Sequence, residues 1–419
     1  MILLKIVYPV CCGIDVHKRT VVATIASTDK NNITTYSTKT FLTLNPYLYA
    51  LRDWLLENGC RHVCMESTGK YWIPIFNILE GHCHVILTHP KYVRAIKGKK
   101  TDKKDSKWIA DLFKHDMVRS SFIPPKEVRS WRELARYRAK LVYMRSSEKN
   151  RYQNCMTVSN IALANVLSDA FSKTADDIMG HLTSSGVFDE ELCKTLIRKS
   201  AKKKTELILD SVRGCSVEAD QKFKMIVSRN HISFLDEMIF KTELELYVRI
   251  KPHYQLIETV TQLPGISELS AALIIAETGI DMSVFETSKH LASWAGLSPA
   301  NNESAGKKKS VRISKAGQFL KPLLVQCALA ATMDKKEPYF AIKYQRIKKR
   351  RGHKKAIIAI ARMMIVCIYH MLKTGESFNP SDYEDFQNPA PRKQAFTEQN
   401  AIKFLLEQGY DVSGLVKAM

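Results

Sequence analysis

Over the first hundred or so residues, apolar positions fall in short alternating runs parted by turn-forming residues, the pattern of strands interleaved with helices. The runs CCGIDVHK and VVATIAS, the turn Asp29-Lys30-Asn31-Asn32 and a run from Ile33 to Thr40 predict an opening meander. Pro46 then introduces a helix with Leu48, Leu51 and Leu55 on one face and Gly59 just past its end. A strand HVCMES, a helix over Trp72 to Leu79, the strand HVILT and a helix from Asp102 through Trp108, Ile109, Leu112 and Phe113 follow. Pro124-Pro125 closes this first α/β domain, residues 1–125, because two prolines continue neither a helix nor a central strand.

The period then changes. Leu134, Tyr137, Leu141 and Met144 recur at 3,4,3 spacing among many Arg and Lys, and Ile232, Leu235, Ile239 and Leu246 repeat such a seam. Residues 126–258 therefore predict a helical linker, with an antiparallel coiled-coil arm or a dimer contact. Residues 156–215 within it look helical, basic in places, and carry no motif. A third domain, residues 259–376, opens at Pro264-Gly265 before LSAALIIAETG, which is either half of a helix-hairpin-helix or an ordinary helical hairpin, and continues as mainly helical chain. The run Ala356 to Leu372 carries Arg362 and His370 and predicts a core helix rather than a membrane span. The apolar start lacks a basic leader and reads as a strand, so a cytoplasmic protein with no membrane partner is expected. Residues 377–419 form a polar, then weakly helical tail.

Composition alters this picture in one respect. Lys and Arg number 64 against 42 Asp and Glu, a formal charge of +22 in clusters, which points to a polyanion and away from an ordinary metabolic enzyme. The 10 cysteines show no metal-knuckle spacing and read as reduced, mostly buried thiols. His82, Cys83, His84 and His89 have ligand chemistry, but their setting in an apolar run favours strand residues.

Against that basic background four acids stand out. Asp15 lies inside an apolar strand, where an unpaired carboxylate is costly, and Glu66 ends the next strand of this kind. Asp102 and Asp105, three apart at a helix start, project from one face. As a pair alone they are also what the helix dipole favours. Three elements thus deliver four carboxylates to one point, where crowding requires divalent cations; oxygen ligands suit Mg²⁺ or Mn²⁺. Lys97, Lys99 and Lys100, with Lys103, Lys104 and Lys107, surround the Asp pair as a phosphate backbone would require.

The runs GIDVHK, MESTGKYW, THPKYVRAIKGKKTDKKDSKWIADL, LPGISELSAALIIAETG, FETSKHLASWAGLSP and ESAGKKKSVRISKAGQFLKPLLVQCA resemble the DEDD-plus-serine transposases of insertion-sequence family one hundred and ten, relatives of the pilin-gene invertase. The resemblance covers about residues 10–155 and 255–375. It implies an RNase H-like (RuvC-like) first domain with a metal tetrad at Asp15, Glu66, Asp102 and Asp105, and a serine-bearing transposase domain with the nucleophile at Ser304. It further implies a homo-oligomer, dimer or tetramer, acting on donor and target DNA in the cytoplasm and at the nucleoid. A structured guide RNA pairs with those DNAs in this family, and Ser304 would form a covalent protein–DNA intermediate at a site composed from different subunits.

The residues qualify that transfer. No His lies near Ser304 in sequence, so its activation would fall to the tetrad and its ions. Lys307, Lys308, Lys309, Arg312 and Lys315 either hold the scissile phosphate or form a solvated loop, and Ser310 and Ser314 are fallback nucleophiles. Ala305 stands where the family often has Gly, the middle segment is long, and the tail passes the usual end. The tetrad alone would suit a Holliday-junction-type nuclease with no covalent intermediate. The Gly-x-Asp strand also resembles the first phosphate loop of sugar kinases, but no second such loop follows. A nucleic-acid-binding protein with a degenerate site would share the charge and lack the cleavage.

Overall fold

The computed structural model describes residues 5–67, 69–89, 102–185, 188–299, 302–304, 307–310 and 312–380, with a few positions between 402 and 409; the side chains of residues 102, 103, 302–304 and 307–310 lie outside the description. The chain divides into two compact units, Met1–Pro125 and Lys126–Met419.

The first unit is a six-stranded mixed sheet in the order β3-β2-β1-β4-β5-β6, formed by β1 (Val10–Val16), β2 (Thr20–Thr28), β3 (Thr34–Leu42), β4 (His62–Glu66), β5 (His84–Thr88) and β6 (Ser120–Ser121). The meander β1–β2–β3 is antiparallel, and β4 and β5 run parallel to β1. Its second turn, between β2 and β3, follows from Asp29, whose carboxylate accepts from the amides of Asn31 and Ile33, while Asn32 takes a positive φ of 62°.

Period-two alternation sorts the strand residues by face. Cys12, Ile14, Val16, Val63 and Met65 join one core with Leu48, Leu51 and Leu55 of α1 (Asn45–Glu57) and Ile75 and Leu79 of α2 (Trp72–Leu79). Cys11 and Cys64 join the other with Ile109, Ala110 and Phe113 of α3 (Asp102–Lys114). At Gly13 the helix rests directly on the strand: a Cβ there would clash at 2.3 Å with both the backbone N of Ala110 and the O of Ser106. Beside it the fully buried hydroxyls of Thr24 and Ser106 share a 2.7 Å hydrogen bond. Tyr36 on β3 donates to Asp111 at 2.5 Å, and Lys114 donates to the same carboxylate at 2.8 Å.

The second unit begins with α4 (Lys126–Val158), which lies along α9 (Ala219–Ile250). The pairs Arg138–Glu243, Arg145–Asp236 and Glu148–Ser228 make the two helices antiparallel. The expected α9 seam holds at Leu235, Ile239 and Leu246, all buried. The α4 seam does not: Tyr137 and Met144 are exposed, while Trp131, Ala135, Leu141, Glu148 and Tyr152 face inward. The inward stripe is thus another helical face, on which apolar layers alternate with the buried Glu148, bonded to Ser228. Between the arm helices sit α5 (Leu163–Val166), α6 (Lys173–Ser185), α7 (Glu190–Leu196) and α8 (Thr205–Asp210), a cap with its own core of Ile178, Met179, Leu182, Cys193, Ile197 and Ile208.

The roots of the arm share a core with α10 (Tyr254–Thr261), α11 (Glu268–Thr278), α12 (Ser288–Trp294), α13 (Leu320–Ala331), α14 (Tyr339–Arg351) and α15 (His353–Thr374). Helix α11 is buried at every position from Ala271 to Thr278, as its small and branched apolar residues allow. Its buried Glu277 is met by Arg136 through two bonds of 2.7 and 2.9 Å, and its main-chain oxygen by Arg132 at 2.5 Å. Gly265, with φ 82°, packs against the backbone of Cys327 and Ala331, a close-packing reason for the Pro-Gly turn. Helix α15 is long and apolar enough to cross a membrane, and its Ile357, Ile360, Met364, Ile365 and Ile368 are buried in this core.

None of the ten cysteines is in a disulfide, and eight are buried. Burial pushes the Cys11, Cys60 and Cys64 thiols up to about 12. In the unfolded chain thiols ionise near about 8.5. Above that pH the unfolded state sheds protons that the folded state keeps, so the stability these groups contribute at neutral pH falls from about pH 9 toward 12. The three thiols are expected to resist iodoacetamide at pH 8 in native protein and to react after denaturation, read by mass spectrometry; native labelling at the unfolded rate would contradict their burial. Gly13→Ala should destabilise the first unit by about 2–3 kcal/mol, since neither backbone can yield cheaply. An unchanged denaturant midpoint would show that α3 does not rest on β1.

Candidate active site

The parallel register of β1 and β4 pairs Ile14 with Met65, so the next residues along each strand, Asp15 and Glu66, stand side by side at the strands' C-terminal ends. By alternation both are on the α3 face. Asp15 is only 6% exposed, whereas Glu66 is partly open. His17, two residues on and hence on the same face, brings Nε2 within 3.2 Å of the Asp15 carboxylate.

The direction of α3 decides where its acids lie. Ser106 and Ala110 sit over Gly13, Cys11 Sγ donates to the Ala110 oxygen at 3.6 Å, and the amides of Val7 and Tyr8 donate to the Lys114 oxygen. The helix therefore runs opposite to β1, and its first turn extends beyond Gly13 toward the Asp15 end of the strand. Asp105 heads the sheet-facing stripe Ser106, Ile109, Ala110 and Phe113, and Asp102 is the first helical residue, one turn earlier. The fold thus carries the backbones of all four acids to one end of the sheet. Among the described side chains, which exclude that of Asp102, no three carboxylate, imidazole or thiol groups converge into a ready-made cage. Lys97, Lys99 and Lys100 lie outside the described residues.

Ser304 belongs to the second unit. It ends β7 (Asn302–Ser304), which pairs antiparallel with β8 (Lys307–Ser310), and Ser304 is directly opposite Lys307. The serine therefore ends the first strand of an antiparallel pair. The side chains of Ser304, Lys307, Lys308 and Lys309 are outside the description. Arg312 and Lys315 are described and exposed, just beyond the hairpin. Its base is closed by a bridge between Pro299 and Ile313 and by Gly296 and Gly317, each seated against the opposite backbone at Ala316 and Ala295. Lys321 Nζ donates to the Ser314 oxygen at 2.7 Å, fixing the return strand.

Sequence reasoning named the four acids and did not name what places them. Gly13, Thr24 and Ser106 support α3, and only Gly13 carried a legible sign, as a glycine in an apolar strand. His84 lies in β5 and His82 and Cys83 in the turn before it, and they form no metal group among the described residues.

With this geometry in hand, two family models match the chain in series. Residues 12–161 match the DEDD transposase of IS110, described as a transposase, and residues 257–345 match the transposase IS116/IS110/IS902 family. The chain is 25% identical over 333 residues to the transposase for insertion sequence element IS1111A of Coxiella burnetii, covering 77% of this chain and 80% of that one. It is 27% identical over 170 residues to the insertion element IS900 uncharacterized 42 kDa protein of Mycobacterium paratuberculosis, a match spanning 39% of this chain and 42% of that protein. Over 130 residues it is 30% identical to the insertion element IS110 uncharacterized 43.6 kDa protein of Streptomyces coelicolor, covering 30% of this chain and 31% of that one.

Proposed function

The chain belongs to the IS110 family of transposases, and on that premise we propose that it cuts and rejoins DNA strands through a carboxylate tetrad, Asp15, Glu66, Asp102 and Asp105, and a nucleophilic serine, Ser304. The observation that carries the first half is the pairing of Asp15 and Glu66 on adjacent parallel strands beneath the acid-bearing start of α3. The strand order β3-β2-β1-β4-β5, with an antiparallel meander and two parallel additions, supports an RNase H-like, RuvC-like reading of the first unit.

The donor set fits Mg²⁺ or Mn²⁺: carboxylate oxygens, one buried and one open. Mg²⁺ takes one or two protein carboxylates and completes its shell with water and substrate phosphate, so a full protein cage is not required. When bound, a metal pair supplies charge neutralisation and activation of the attacking oxygen. The chain's own residues supply the rest. Asp15 and Glu66 hold position through strand pairing, and Gly13 with the Thr24–Ser106 hydrogen bond sets the depth of α3.

In the serine step, Ser304 Oγ forms a bond to the DNA phosphorus as the bond from phosphorus to the leaving sugar oxygen breaks. The proton lost by the serine is balanced by one gained by the leaving oxygen, and the reverse transfer to another strand's hydroxyl restores the phosphodiester. The strand register supports this role, since it sets Ser304 opposite Lys307, with Lys308 and Lys309 next along the same strand and Arg312 and Lys315 soon after in the chain. Lys97, Lys99 and Lys100, just before α3, would meet the DNA backbone.

The partners follow from charge and surface. A formal charge of +22 supports binding of donor and target DNA and of a structured guide RNA, in the cytoplasm and at the nucleoid. Exposed Phe223, Val227, Phe234, Leu244 and Val248 keep a coiled-coil spacing along α9 and support a homo-oligomer joined through the arm.

Removing an outer-shell partner of a metal ligand typically costs about 10–100-fold, so Asp15→Asn or Glu66→Gln should lower strand cleavage about a hundredfold or more. Chelation should abolish cleavage and added Mg²⁺ or Mn²⁺ restore it. Ser304→Ala should remove the protein–DNA adduct seen on a denaturing gel. An adduct that survives in that variant removes the nucleophile assignment. Metal-dependent cutting that survives without any adduct would make the protein a junction-type nuclease.

A further inference from the structure

The helical cap serves neither the carboxylates nor the hairpin, and it lies between the two family-matched segments. On it the connection from α5 to α6, the first turn of α6 and the 3-10 turn Lys199–Lys204 enclose an open cleft of about 550 Å³. Four cationic side chains line it, Lys173, Arg198, Lys199 and Lys204, against one carboxylate, Asp169. That carboxylate is engaged in its own turn, accepting from the Phe171 amide at 2.9 Å.

The cleft is built rather than incidental. Thr174 Oγ1, buried in the first turn of α6, accepts from the Arg198 amide at 3.1 Å and so joins the two walls. Beneath them Ala175, Ile178 and Ile197 belong to the cap's core. Arg198 is held by Asp177 at 2.6 Å and Lys204 by the Val166 oxygen at 3.0 Å. Among the described residues Lys173 and Lys199 have no ion-pair partner, and Lys199 stands at φ 44°, a backbone region that side-chain-bearing residues seldom occupy. Exposed Lys202 and Lys203 continue the charge along the same rim.

A lining of four cations against one carboxylate recognises phosphate, and the further lysines of the 3-10 turn ask for a chain of phosphates rather than one. We propose that the cap cleft is a second nucleic-acid site, built from residues other than the strand-cutting ones, which grips a phosphodiester backbone, of DNA or of structured RNA. The site goes beyond the strand-cutting reading and does not depend on it.

The test uses the full chain with Lys173→Gln and Lys199→Gln together, checked for an unchanged melting temperature. Fluorescence anisotropy with a labelled DNA duplex and with a labelled RNA hairpin is followed from 50 to 200 mM salt. Loss of two phosphate contacts should lower the log–log salt slope by up to about 2 for the duplex and weaken binding about tenfold or more near 0.1 M salt. The probe that shows the change, DNA or RNA, identifies the source of the backbone. Unchanged slope and affinity for both probes would overturn the site. So would an equal loss from Lys224→Gln with Lys241→Gln on α9, which removes the same charge elsewhere, or binding of dAMP or inorganic phosphate alone with no effect on either polymer. Repeating the titration in an Asp15→Asn background separates the two readings, because binding at the cap needs no cleavage.

Discussion

The seating of α3 on β1 at Gly13 is the constraint from which the arrangement of the first unit follows. A helix lying that close to a strand must present backbone rather than side chain, and here Ser106 and Ala110 meet a glycine. Everything upstream on the helix is then fixed in height and direction above the sheet, including Asp105 and the first helical residue, Asp102. The Thr24–Ser106 hydrogen bond and the Tyr36–Asp111–Lys114 group hold the same helix against β2 and β3. The proposed carboxylate site, drawn from two neighbouring strands and a helix end, would take its geometry from this approach and from the hydrogen bonds beside it.

The second unit solves a different problem, holding a long two-helix arm to a helical core. Glu277 sits inside that core on a helix buried on all sides, and Arg132 and Arg136 reach it from α4. Burying one carboxylate is tolerable because Arg136 meets it with two directed bonds and the Arg132 guanidinium stands 3.9 Å away as a second positive charge. Along the arm, the ion pairs of Arg138 and Arg145 flank an apolar core of Leu141, Leu235 and Ile239.

Much of the first unit was legible in the sequence. Alternation found its five main strands, and a carboxylate in an apolar strand drew notice to Asp15 because burial makes such a residue expensive. The short β6 pairing and the helix-on-strand approach were not legible, since a two-residue strand has no period and a glycine's neighbour is a property of tertiary structure. On α4 the expected seam failed at Tyr137 and Met144 because hydrophobicity was allowed to define the inner face, whereas Arg138 and Glu148 take part in it. The cap's basic character was legible, but not its cleft, because Lys173 and Lys199 are distant in sequence and meet only through the tertiary contacts of Arg198 with Thr174 and Asp177.

The ends of the two arm helices offer one more consequence. Where α4 finishes, the Ser159 oxygen accepts from the Ser216 amide at 3.3 Å, and the Ala162 amide donates to the Ser211 oxygen at 2.8 Å, so the chain leaves the arm and returns to it at nearly the same place. Closing such a gap costs little more for a long excursion than for a short one. The cap is therefore an appendage in the thermodynamic sense. It can lengthen, shrink or change its surface while the helix roots, and the core they enter, keep their geometry, which makes the arm's tip the place where a protein of this build is freest to vary.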